Sequence, residues 1–122
     1  MQWLFVAGGG ALGALSRYAI DRAVFNVIGS TVWGTFLVNI TGSFALGVFV
    51  AMAAERANWP IAARMFLAVG FLGSYTTFST LTLAGVQLFD TGEITRALVN
   101  VVGSILVGLL AAFLGIVVGR AL

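Results

Sequence analysis

The sequence predicts an all-α integral membrane protein of four transmembrane helices, the third broken in mid-membrane, that assembles as an antiparallel, dual-topology dimer. Three observations carry this prediction. The first is a shortage of charge: of 122 residues only 8% are charged and 61% are apolar, against roughly 25% charged in a soluble domain. A surface so poor in ionic groups suits hydrocarbon as its solvent. The second is where the charges fall, at positions 17, 21, 22, 55, 56, 64, 90, 93, 96 and 120. They leave uncharged runs at 1–16, 23–54, 65–89 and 97–119, and about 20 apolar residues in a helix cross a hydrocarbon core. The third is the presence of 16 Gly with no Cys and no His. Small residues let helices approach closely in lipid. Without Cys or His there is no disulfide, no thiolate nucleophile, no imidazole for acid–base work and no common transition-metal ligand. The chain is therefore not expected to be an enzyme. Its basic residues are six scattered Arg, which form no patch for nucleic acid.

The elements follow in order. The first span is expected at about 3–20, with Trp3 at one interface and Arg17 near the other end, where a long cation can snorkel. Met1-Gln2 supplies no basic segment, so a cleavable signal peptide is not expected. Asn26, Gly29 and Ser30 punctuate the long second run, so Asp21–Ser30 reads as a connector and the second span as 32–54. Glu55-Arg56-Ala57-Asn58-Trp59-Pro60 reads as a polar turn, its Trp suited to the interface and its Pro to a helix start. The third span covers about 62–89, Asp90-Thr91-Gly92-Glu93 makes the last connection, and the fourth span covers 96–119. Residues 1–122 thus form one domain with no extramembrane part.

Four crossings put Arg56, Arg64 and Arg120 on one side and Arg17, Arg22 and Arg96 on the other. Orientation follows an excess of Lys and Arg on the cytoplasmic side, and three against three gives no excess. The chain is therefore expected to insert both ways and to pair antiparallel, the alternative being one orientation set by other features. Gly9/Gly13, Ser43/Gly47, Ser104/Gly108 and Gly115/Gly119 all have the small-xxx-small spacing of close helix contacts, which makes oligomerisation plausible.

Polar groups inside the spans are costly in lipid and so are candidates for function. Asn39 and Ser43 share a helix face, as do Asn100 and Ser104, and each pair can build a polar stripe or serve as interhelical hydrogen bonds. In the third span two glycines precede a run of hydroxyl residues, Ser74, Tyr75, Thr76, Thr77, Ser79 and Thr80. This run suits a backbone break whose freed carbonyls can bind a cation, or an intact helix whose hydroxyls bond back to the preceding turn. Asp21, Glu55, Asp90 and Glu93 all lie at turns. No span therefore contains the carboxylate that a proton-coupled exporter of drug cations would use. The donors that remain, Asn amides, hydroxyls and Arg17, together with the positive ring edges of Phe, suit a small anion. A multidrug exporter and a non-transporting membrane scaffold stand as the other readings.

Three ordered motifs are more specific. Gly9-Gly10-Ala11-Leu12-Gly13-Ala14-Leu15-Ser16-Arg17-Tyr18, Trp33-Gly34-Thr35-Phe36-Leu37-Val38-Asn39 and Gly70-Phe71-Leu72-Gly73-Ser74-Tyr75-Thr76-Thr77-Phe78-Ser79-Thr80 resemble the CrcB/Fluc fluoride channel family over essentially the whole chain. The resemblance implies passive fluoride export through two pores in an antiparallel homodimer of the prokaryotic plasma membrane. It also implies a structural sodium ion at the dimer centre, bound by the main-chain carbonyls of Gly73 and Thr76. Carried over by position, it implies a fluoride pore of Asn39, Phe78, Ser79, Thr80, Ser104 and Asn100, with Arg17 near a vestibule. The sequence departs from the family pattern at Ser74, Ala84, Gly108 and, above all, Leu81, which stands where a second pore Phe is usual. A chain lacking that ring could also be one subunit of a heterodimeric fluoride channel.

Overall fold

A computed structural model describes residues 1–56 and 58–122, so the expected turn at 55–60 is seen apart from Ala57, which lies outside the described residues. The described residues are all helix and short connections. Helix α1 (Gln2–Ile28) is followed by α2 (Thr31–Glu55), and both lie before the turn at Pro60. The third rod begins as α3 (Ile61–Ala63), widens into a π-helix over Arg64–Leu72 and closes with α4 (Gly73–Tyr75). It resumes as α5 (Phe78–Asp90), and α6 (Ile94–Ala121) completes the chain. Among the described residues, three helical stretches are long and apolar enough to cross a membrane: Thr31–Glu55, Ile61–Asp90 and Ile94–Ala121. The other long helix, α1, carries Arg17, Asp21 and Arg22 in its second half.

Two features differ from the expectation. The connector expected at Asp21–Ser30 is helical as far as Ile28. Nothing in residues 21–28 breaks a helix, and termination waits for Gly29, whose φ of 78° is the left-handed cap that glycine adopts freely. The Gly29 N–H closes on the Phe25 carbonyl at 2.7 Å. Ser30 then starts α2, its hydroxyl accepting from the Val32 N–H at 3.3 Å. The second difference is the π-helix, a widening that hydropathy does not announce.

That wide stretch packs on α1, and the glycines of α1 set the distance. A Cβ on Gly9 would lie 2.0 Å from the Phe66 carbonyl oxygen, and one on Gly13 would lie 2.2 Å from that of Phe71. Backbone thus meets backbone here. The main helix pair, α2 against α6, closes in the same way through Gly47 and Gly115, which face the carbonyls of Ala112 and Phe44. The small-residue faces that made oligomerisation plausible are therefore engaged inside the chain, apart from Gly108, which faces only Ile40 and Ser43 at 3.8–4.0 Å. Val38, Thr35, Leu81, Ala97 and Ala111 form the buried centre. Most large apolar side chains face outward, among them Trp3, Val27, Phe78, Phe89, Leu109 and Phe113.

Candidate functional site

The third rod is interrupted at Thr76 and Thr77, whose backbone is extended, with φ, ψ of −82°, 155° and −148°, 113°. This is the broken form of the two readings that the hydroxyl-rich run allowed. A break in lipid is tolerable only if its freed N–H and C=O groups find partners inside the protein, and here those partners are side chains from two other helices. Asn39 of α2 makes a two-point clamp on Thr77: its Oδ1 accepts from the Thr77 N–H at 2.7 Å and its Nδ2 donates to the Thr77 carbonyl at 3.0 Å. Arg17 of α1 donates from Nε to the Ser74 carbonyl at 3.1 Å. Thr76 returns both its N–H and its hydroxyl to the Leu72 carbonyl, at 3.2 and 3.1 Å. The Thr77 hydroxyl begins α5, accepting from the Thr80 N–H at 3.3 Å and donating to the Thr80 hydroxyl at 3.0 Å. Space for the turn comes from Gly42, where a Cβ would lie 2.3 Å from the Thr76 methyl.

These contacts sort the break's carbonyls. Those of Leu72, Ser74 and Thr77 have hydrogen-bond donors. Among the described residues, the carbonyls of Gly73 and Thr76 accept no bond from outside the helical ladders. The Tyr75 carbonyl likewise accepts none, so three carbonyls of the break, those of Gly73, Tyr75 and Thr76, keep free oxygens, the ligand type that a hard cation takes. Main-chain oxygens of this kind are chemically compatible with a sodium ion.

Of the residues expected to meet an anion, Phe78 is 74% exposed and Ser79 also lies open on the face of α5. Thr80 is bonded to Thr77. Leu81 points the other way, into the buried centre at 5% exposure. On α6 the Asn100 Nδ2 and the Ser104 Oγ are buried without a partner among the described residues. Buried polar atoms of this kind are rare and call for a ligand or a missing neighbour. An open groove of about 450 Å³ between α2, α5 and α6 reaches Asn100 and is lined also by Trp33, Phe36, Leu88 and Arg96.

The structure therefore gathers Asn39, Arg17, Gly73 and Thr76 at one break, while Asn100 and Ser104 stand on α6 with their polar atoms unpartnered. Sequence reasoning missed two contributors. The Thr77 hydroxyl is a helix cap, legible as a Thr standing just before a new helix turn. Arg96 of the groove lies in the first turn of α6, four residues before Asn100 and so on the same helix face, a spacing visible in the sequence.

Comparison with known proteins finds relatives along nearly the whole chain. The "Fluoride-specific ion channel FluC" of Magnetococcus marinus is 43% identical over 121 residues, covering 98% of both chains. The protein of the same name from Hydrogenovibrio crunogenus is 41% identical, covering 98% of this chain and 92% of the relative. That of Nitrobacter winogradskyi is 40% identical over the full length of both. These names are those of ion channels and not of enzymes. Residues 4–116 match the family described as "CrcB-like protein, Camphor Resistance (CrcB)". With that match and relatives of this identity along nearly its entire length, the chain belongs to the CrcB-like family.

Proposed function

We propose that the chain forms a fluoride channel of the plasma membrane that lets the ion leave the cell passively, through two pores in an antiparallel pair of copies. The observation that carries this reading is the pair of buried, unpartnered donors Asn100 and Ser104 in a chain whose relatives are named for fluoride. Fluoride is a small, strongly hydrated anion, and its dehydration must be offset by donors already in place. Asn100, Ser104 and the second N–H of the Asn39 amide supply such donors, and the exposed ring of Phe78 offers its positive edge. Pairing of two copies is supported by the three-against-three division of Arg and by the outward-facing ring of Phe78. A sodium ion between the copies would be held by the Gly73 and Thr76 carbonyls of each, and its charge would tie the two breaks together.

The test is fluoride-electrode efflux from liposomes containing only this chain. Rapid efflux of fluoride but not chloride is expected, and substitution of Asn39→Ala is expected to slow it at least tenfold. Absence of flux from correctly assembled protein, alone or with a related chain, would remove the reading. A second reading, one subunit of a heterodimeric channel, rests on Leu81, which gives no ring to the pore and is buried. Flux that appears only after a related chain is added would select it.

A further inference from the structure

We propose that Arg96 is the outermost anion station of this pore, receiving fluoride at the groove mouth and passing it to Asn100 and then Ser104. The proposal rests on the fluoride-conducting reading and extends it to the entrance. Arg96, Asn100 and Ser104 recur every four residues along α6, so their side chains stack on one face about one turn apart. Their exposure falls in the same order. The Arg96 side chain is 63% exposed, Asn100 is half-buried and Ser104 is 6% exposed. The inner two present donors with no partner, whereas the outer one has a partner that an anion can replace: Glu93 Oε1, 2.8 Å from Arg96 Nη1. An exposed ion pair of this type holds little energy. A surface pair needs no purpose of its own, but this one stands in register with two orphaned donors and lines the groove that reaches the first of them. A guanidinium at the groove mouth raises the local anion concentration, and Glu93 opposes it.

The experiment measures initial fluoride efflux from liposomes carrying the whole chain, at sub-saturating fluoride. It is run at roughly 0.01 M and roughly 1 M ionic strength, where the screening length falls from about 30 Å to about 3 Å. Arg96→Gln is expected to slow efflux roughly three- to tenfold at the lower ionic strength and hardly at all at the higher. Arg96→Lys should restore most of the rate, and Glu93→Gln should raise it about twofold. An Arg96→Gln rate equal to that of the unmodified chain at low ionic strength would overturn the proposal. So would an equal loss at both ionic strengths that Arg96→Lys does not relieve, which marks a structural role. Flux in the unmodified chain shows which claim has failed, since without it the conduction reading falls first.

Discussion

At the scale of single residues, the interruption of the third rod is held by Asn39 and Arg17, and the two act differently. Asn39 answers both polar groups of one peptide, so its removal leaves a donor and an acceptor of Thr77 unpaired together. Each unpaired group costs about 1–3 kcal/mol. Asn39→Ala is therefore expected to destabilise the folded protein by about 2–4 kcal/mol, read as a fall in the thermal or denaturant midpoint in detergent. Arg17 answers a single carbonyl through a charged donor. None of this clamp was legible in the sequence beyond the suspicion that an Asn in lipid has work to do. Asn39 and Thr77 are 38 positions apart, and only the fold brings them to 2.7 Å. The orphaned donors Asn100 and Ser104 were legible, because both lie on one helix and their four-residue spacing alone puts them on one face.

At the scale of elements, glycine positions decide which helices touch. Gly9 and Gly13 let α1 lie against the π-helical stretch with no side chain between them, while nothing lies within 4 Å of a Cβ placed on Gly103. The two kinds of site should respond oppositely to the same change. Gly13→Ala forces backbone apart and is expected to cost at least 2 kcal/mol, as overpacking does. Gly103→Ala is expected to be neutral or to stabilise by up to about 1 kcal/mol, the helix propensity difference. Paired unfolding curves of the two variants would check both signs. The sequence revealed the small-residue faces but not their partners, and here it misled, since nearly all of those faces close within one chain. The end of α1 was misread for a related reason. Asn26, Gly29 and Ser30 suggested a connector reaching back to the charges at 21 and 22, whereas a helix ends where its backbone turns, and of these residues only Gly29 turns it. The π-helix has no sequence signature, because an extra residue per turn changes spacing without changing composition.

At the scale of the whole molecule, long apolar helices joined by short connections were legible in ten charges among 122 residues, although the first connection falls later than Asp21, at Gly29 and Ser30. Orientation does not follow from the fold of one copy. The balanced Arg distribution leads to the expectation that an accessibility tag on either terminus will be labelled from both sides of the membrane in comparable amounts. Labelling from the cytoplasmic side alone would exclude an antiparallel pair. Changing Arg120 and Arg64 to Gln should shift the balance strongly toward one orientation, since the count becomes one against three.

The two extended residues at Thr76 and Thr77 have a further consequence for how a membrane span can carry charge. An unbroken helix shows its partial charges only at its ends, near water, at roughly half an elementary charge each. Interrupting the third rod brings a negative helix end, at residues 73–75, and a positive one, at the first turn of Phe78–Asp90, together between the interfaces. Opposite poles then stand within two residues of each other, and no ionised side chain in this span supplies either. The span thereby acquires, in its own peptide groups, a negative end that the Arg17 guanidinium meets at Ser74 and a positive end at the first turn of Phe78–Asp90.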